Sequence, residues 1–384
     1  MTIPMSRPDI TSAERAAVLD VLSTSTLALG PRLERFECNL AEHVGVRHAV
    51  GVSSGTAGLH LCVVAAGVTA GDVVLTTPFS FVASANCVLY ERARPVFVDI
   101  DPHTLTIDPD ALASAARALT ARGERLRAIL PVHVFGHPAD MDPIREVAAR
   151  YRVAVIEDAC EAIGAAYKGR PVGTLGDAAV FAFYPNKQLT TGEGGMIVTD
   201  DAAWDGLFRS LRNQGRDVFD GWLQHSRLGW NYRLDELSAA LGAVQVERLE
   251  EILAQRALVA DAYTRRLARL EHVAPPTVAA WVSRMSWFVY VVRLAPWLDR
   301  DAVIRGLEER GVPSRAYFPP IHLQPFYRER FGFRPGDFPV SEEMGRRSLA
   351  LPFFGAMTDA QIDTVFGALD EVLAEAETSR RAIA

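Results

Sequence analysis

Between Ala49 and Thr199 the chain alternates short apolar runs with helix-patterned stretches, and few folds tolerate that order. The runs fall at Ala49–Val52, Asp72–Thr76, Pro95–Val98, Arg127–Val134, Val153–Ile156, Ala178–Phe183 and Gly195–Thr199. Helical stretches such as Ala83–Tyr90, Asp110–Ala121 and Met141–Arg150 separate several of them. A strand that is apolar on both faces must be covered on both, and intervening helices supply that cover. The pattern therefore predicts an α/β fold around a mostly parallel central sheet.

Ahead of this region, Thr11-Ser12-Ala13-Glu14 is a capping box that opens an amphipathic helix through Ala17, Val18, Val21 and Leu22, and a second helix starts after Gly30-Pro31. Beyond it, Leu237, Leu241, Val244, Ile252 and Tyr263 recur near helical spacing, so Leu234–Leu270 is expected to form one or two long helices linking two domains. After Pro275-Pro276 the pattern changes to a strand at Trp287–Leu294, a helix at Arg300–Arg310, a Pro- and aromatic-rich loop at Tyr317–Tyr327 and a last helix at Asp359–Ala376. We expect a large domain over residues 1–245 and a smaller C-terminal α+β domain over 246–384.

The 384 residues are 49% apolar and 23% charged, enough for one sizeable core and a smaller one. The net charge of -7 comes without a basic stripe, so neither nucleic acid nor an anionic membrane surface is expected as a partner. Cys38, Cys62, Cys87 and Cys160 are scattered, with no C-x-x-C pair and no His at metal-ligand spacing. Reduced thiols and no metal are expected. Met1–Arg15 carries charges and a Pro where a secretion signal would be apolar, and no stretch approaches about 18 uninterrupted apolar residues. These features point to a cytoplasmic protein.

Chemistry enters at Lys187. The chain has 38 Arg and 2 Lys, so Arg serves almost wherever a solvated positive charge is needed, and something excludes it here. A guanidinium stays protonated and cannot form an imine, whereas a desolvated ammonium can lose its proton and attack a carbonyl. Lys187 follows an apolar run and precedes the turn Gly192-Glu193-Gly194-Gly195, and strand ends of this kind are where α/β proteins place ligands. Lys168, beside Gly169 in an apparent turn, reads as a surface residue. Asp158 also lies at the carboxyl end of a buried run, upstream of Lys187 by what reads as a strand–helix interval. A helix N-cap would account for it, yet next to an imine-forming Lys a carboxylate has a specific use. Facing a pyridine nitrogen, it keeps that nitrogen protonated, so the ring can accept electrons from a carbanion. Between strand and helix, Ser53-Ser54-Gly55-Thr56 has the small residues that let backbone N–H groups approach an anion, although an ordinary N-cap is the plainer account of that segment alone.

Together these stretches resemble the DegT/StrS branch of the fold type I aminotransferases, which use pyridoxal phosphate (PLP). The likeness runs through Gly30-Pro31, Ser54-Gly55-Thr56-Ala57, Thr77-Pro78-Phe79-Ser80-Phe81-Val82-Ala83, Pro131–Gly136 with Pro138–Asp142, Glu157-Asp158-Ala159-Cys160, the Lys187 block and Gly229–Arg233. Within that family Thr190–Met196 is most similar to perosamine synthases. The resemblance implies that Lys187 joins the cofactor as an imine and that Asp158 partners the pyridine nitrogen. It implies further that Gly55 and Thr56 cradle the phosphate, that Phe81 stacks on the ring and that Glu161 lies near the ring hydroxyl. Asn231 would reach the phosphate of the neighbouring subunit in a homodimer with shared sites, and Arg233 and His322 would line the substrate side.

Two positions depart from the family's commonest pattern. Ala182 stands where many members have a phosphate-binding Ser, and Glu161 where many have Gln or His, though an acidic residue also occurs there among perosamine synthases. The implied activity moves an amino group from an amino acid, L-glutamate, to a nucleotide-linked keto sugar, with a ketocyclitol as the alternative acceptor. PLP-dependent sugar dehydrases share most of these motifs but resemble this chain with His in place of the lysine. A PLP-free Schiff-base aldolase would have little use for a phosphate cradle plus Asp158, and a non-catalytic regulator would not need Lys187 and Asp158 together.

Overall fold

In the computed structural model, which describes residues 3–217 and 224–383, the alternation builds one seven-stranded sheet. Its strands are β1 (His48–Val52), β2 (Val73–Thr76), β3 (Arg94–Phe97), β4 (Leu126–Ile129) and β5 (Ala154–Asp158), followed after an excursion by β8 (Ala178–Ala182) and β9 (Gly195–Thr199). The excursion is β6 (Ala166–Tyr167) and β7 (Arg170–Pro171), which pair with each other and with Val282–Arg284 in a separate small sheet. Across the main sheet the order is β1-β9-β8-β5-β4-β2-β3. Only β9 runs against its neighbours, because it returns beside β8 as the second arm of a hairpin. The other pairings are parallel.

Successive strand residues face opposite ways, and the two sides pack under different helices. Leu75, Ile129, Val155, Phe181 and Val198 join the core beneath α2 (Pro31–Val44), α5 (Pro109–Ala121), α6 (Met141–Tyr151) and α8 (Glu236–Glu247). Their neighbours Val74, Ala128, Ile156, Val180 and Ile197 join the core beneath α3 (Gly55–Ala65), α4 (Ala83–Tyr90) and α7 (Ala202–Arg212). This two-sided burial is why the strands read as apolar runs rather than alternating ones. A third core lies around Tyr263, Tyr290, Phe353 and Phe366. It is built on an antiparallel sheet ordered Val273–Ala274, Tyr290–Leu294, Ser348–Leu351 and Arg315–Ala316, with α9 (Leu249–Leu267) and the helices Arg300–Glu309 and Asp359–Ile383. Among the described residues no helix is long and apolar enough to cross a membrane.

The structure corrects several local expectations. The interval between Asp158 and Lys187 holds no helix. Gly164, Gly169, Gly173, Gly176 and Pro171 crowd it, and three of those glycines take positive φ, which favours the β6–β7 hairpin. Lys168 sits at that hairpin's turn and pairs with Asp142 at 2.6 Å. The run expected over Arg127–Val134 ends as a strand at Ile129, since Pro131 has no N–H to give the ladder. Only a Val132–Asp158 bridge remains. Leu234–Leu270 divides at Arg248 into α8 and α9, and the last helix continues past Ala376 to Ile383.

Candidate active site

The carboxyl ends of β5 and β8 and the start of α3 open into one cavity of about 480 Å³. Six of the nine residues singled out from sequence line it: Gly55, Thr56, Phe81, Asp158, Glu161 and Lys187.

Lys187 is placed by the chain leaving β8, where its backbone N–H donates to the Tyr184 carbonyl at 2.9 Å. Its Nζ donates to Glu161 Oε1 at 3.3 Å and stands 3.9 Å from the centroid of the Phe288 ring. Glu161 also accepts from the Phe135 N–H at 2.8 Å. Burial pushes the Glu161 carboxyl above its ordinary range, and the nearby Lys187 charge only partly offsets that.

Asp158 is the final residue of β5 and caps no helix. It is buried, and its two oxygens accept from the Ser84 hydroxyl at 2.7 Å and the Cys160 N–H at 3.2 Å. A hydroxyl and an amide thus satisfy the carboxylate that burial would otherwise penalise. Ser84 comes from α4, so this strand end and the α4 turn are fastened together at the cavity floor.

Gly55 begins α3, with the Ser54 hydroxyl capping it through the Ala57 N–H at 3.1 Å. A Cβ at Gly55 would lie 2.7 Å from Ala182 Cβ and 2.9 Å from Cys160 Sγ, so the backbone is bare here because there is no room for anything else. Among the described residues the Gly55 and Thr56 N–H groups have no protein acceptor. That is the arrangement in which a helix start receives an anion. Phe81 is 61% exposed on the cavity wall, whereas Phe79 two residues earlier is fully buried.

Three expected residues lie elsewhere. Asn231 is exposed on the loop ahead of α8, where its backbone bridges Asn213, and the Arg233 guanidinium donates to Asn213 Oδ1 at 3.1 Å. His322, expected on the substrate side, is instead fully buried away from the cavity. Its Nε2 is 3.0 Å from Glu342 Oε1 and its ring packs edge-on against Phe338 at 4.7 Å, and burial lowers its pKa. Sequence reasoning missed Ser84, one residue past the Thr77–Ala83 stretch, and Phe288, which reaches the site from a segment with no motif of its own. The signal for Ser84 was its place within one turn of Phe81; Phe288 carried none.

The residues fit PLP on geometry alone: an amine, a buried carboxylate, and unpartnered helix-start amides around a glycine with no space for a side chain. A mostly parallel α/β sheet with these groups at its carboxyl edge defines a fold type I PLP-dependent aminotransferase. Known proteins agree. Residues 8–370 match the DegT/DnrJ/EryC1/StrS aminotransferase family. The chain is 41% identical over 375 residues to the GDP-perosamine synthase of Caulobacter vibrioides, covering 97% of this chain and 98% of that protein. Among solved structures it is similar to DesV of S. venezuelae, in complex with a ketimine intermediate, with a TM-score of 0.88, 34% identity and coverage of 96% and 98%. It is also similar to Spr1654 of Streptococcus pneumoniae in its PLP form, with a TM-score of 0.90, 25% identity and coverage of 98% and 99%. The chain belongs to the DegT/DnrJ/EryC1/StrS aminotransferase family and is a PLP-dependent sugar aminotransferase.

Proposed function

We propose that this enzyme moves an amino group from L-glutamate to a keto sugar carried on a nucleoside diphosphate. The observation that carries the reading is the meeting of Lys187, Asp158 and the bare α3 start in one cavity, supported by the likeness to GDP-perosamine synthase over nearly the whole chain.

In this reading Gly55 and Thr56 hold the cofactor phosphate, Phe81 covers its ring, Glu161 serves the ring hydroxyl and Asp158 holds the proton on the ring nitrogen. When bound, the cofactor supplies an electron sink for the pair left as a substrate carbon gives up its proton. Lys187 is the group that takes and returns that proton. Its amine is enclosed in the cavity, over the Phe288 ring and donating to Glu161, where it faces the space the cofactor would fill. Hydrogen bonds from the Ser84 hydroxyl and the Cys160 N–H orient the Asp158 carboxylate. Asn231 and Arg233 complete the phosphate and substrate sides of a partner's cavity, in a cytoplasmic homodimer. Free thiols at Cys38, Cys62, Cys87 and Cys160 accord with a reducing compartment.

The test is a panel of GDP-, UDP- and dTDP-linked keto sugars with L-glutamate, read as 2-oxoglutarate released and amino sugar formed. Amination of one of them is expected. Amination of a ketocyclitol and of no nucleotide sugar would sink the reading.

A further inference from the structure

Arg256, on α9, is 4% exposed and carries a charge that no acid in the fold balances. Its Nε and one Nη donate to the Trp287 and Phe288 carbonyls at 2.6 Å each, and the guanidinium carbon lies 5.0 Å from the centroid of the Phe353 ring. The remaining nitrogen, Nη1, has no acceptor among the described residues. Burial without a counter-ion lowers the Arg256 pKa to about 10. A buried charge left in that condition is costly unless a partner arrives. Arg256 lines a cavity of about 280 Å³ where residues 7–15, the turn after β8 and α9 meet, and Lys187 is the one residue that borders both this cavity and the cofactor's. Two more guanidinium groups line it, Arg7 and Arg15, both exposed and neither paired with a carboxylate among the described residues. The one acid on the wall, Asp9, is already held by Arg248 at 2.8 Å. Between the buried guanidinium and the exposed pair the lining includes Pro8, Ile10 and Ile252.

We propose that this cavity is a separate binding site for a short aliphatic dicarboxylate, with one carboxylate on Arg256 and the other on Arg7 and Arg15. A guanidinium fork matches a carboxylate, and a pairing with the buried Arg256 supplies the counter-ion the fold withholds. Cations at two depths call for an anion charged at both ends, and the apolar wall between them suits a methylene chain rather than a compact ion. The volume lies below that of drug-sized sites, which fits an acid of a few carbons. The site is independent of which acceptor is aminated. It would take the acid of the amino-transfer reaction or an unrelated acid of the same class, and the two are told apart by whether a keto group matters.

The experiment measures binding of glutarate, 2-oxoglutarate and inorganic phosphate to PLP-loaded protein by calorimetry in a phosphate-free buffer, for the parent, Arg256→Lys and the double variant Arg7→Ala plus Arg15→Ala. Glutarate has neither an amine nor a keto group, so it cannot react at the cofactor. The expected result is saturable glutarate binding to the parent, with a Kd about tenfold higher in the double variant and in Arg256→Lys, which keeps the charge but loses the fork. Equal affinity for glutarate and 2-oxoglutarate identifies a general dicarboxylate site, and tighter binding of 2-oxoglutarate ties the site to the acid of the transfer reaction; both support the proposal. The exposed double variant decides the matter should Arg256→Lys fold poorly. No saturable glutarate binding to the parent, or an unchanged Kd in the double variant, overturns the proposal. Phosphate binding without glutarate binding overturns it too, since a compact anion then suffices. So does a loss of affinity that comes with an altered melting temperature or sedimentation, because the arginines would then hold the fold or the assembly rather than a ligand.

Discussion

Replacing Lys187 with Arg keeps the charge and nearly the length but removes the ability to lose a proton and form an imine, so Lys187→Arg should abolish glutamate-dependent release of 2-oxoglutarate. A rate close to the parent's would show that another group does the chemistry. Asp158→Ala should lower turnover by at least roughly a hundredfold, since no charge then keeps the ring nitrogen protonated. Circular dichroism should show the fold intact, and near-normal turnover in that folded variant would reduce Asp158 to a structural residue. Both side chains were legible because each lies near the end of a run buried on both faces, and Lys187 also because a chain with 38 Arg keeps Lys at that position. Phe288 was not legible, because what matters is its ring beneath the Lys187 amine, a contact made by segments far apart in the chain. His322 misled for the opposite reason. A His among prolines looks available, and only the fold shows that Glu342 and Phe338 enclose it.

Capping and turn signals carried across to whole elements where the determinants were local. The capping box at Thr11 is present, with the Glu14 carboxylate accepting from the Thr11 N–H at 2.8 Å. What the sequence did not reveal is that Glu14 also pins α1 (Ser12–Leu22) to α8, accepting from Gln245 at 2.8 Å and Arg248 at 2.6 Å. Burial alone would raise the Glu14 pKa; the hydrogen bonds from Thr11, Gln245 and Arg248 outweigh it and bring the group from 4.5 down to about 2. A carboxylate with a depressed folded-state pKa stabilises the fold above its unfolded value and loses that contribution as pH falls through the folded one. Glu14 should therefore contribute fully above about pH 4.5 and progressively less toward pH 2, with roughly 3 kcal/mol as the upper bound on its share. Urea unfolding should find Glu14→Gln less stable than the parent at pH 7, with the gap narrowing at pH 3. An unchanging gap would mean that the carboxylate's charge is not what ties α1 to α8. The β6–β7 hairpin shows the limit of local reading: alternation predicted a helix there, and five backbone-disrupting residues decided otherwise.

At the scale of the molecule, alternation was enough for the sheet's class but not for its order, since a period of apolar runs carries no information on which strand lies beside which. It was also silent on assembly, and there the surface speaks. Leu228 is 83% exposed on the loop that carries Asn231 and Arg233, and Leu19, Leu22, Leu27 and Leu29 are exposed near the end of α1. The two regions meet where Ala28 bridges Asp235. An apolar surface of this kind is poorly explained in a monomer, and an isologous contact would cover it on both subunits while carrying Asn231 toward the partner's cavity. The competing account is that the loop serves its own chain, with Arg233 simply holding Asn213. Subunit mixing decides between them. Lys187→Ala chains and chains with Asn231→Ala plus Arg233→Ala should each be inactive alone. A hybrid dimer then has one intact site, made of the second chain's Lys187 and the first chain's Asn231 and Arg233, so mixed and reassociated protein should regain activity in proportion to the hybrids formed. If native mass spectrometry shows hybrids and no activity returns, each chain builds its own site and the shared-site dimer is wrong.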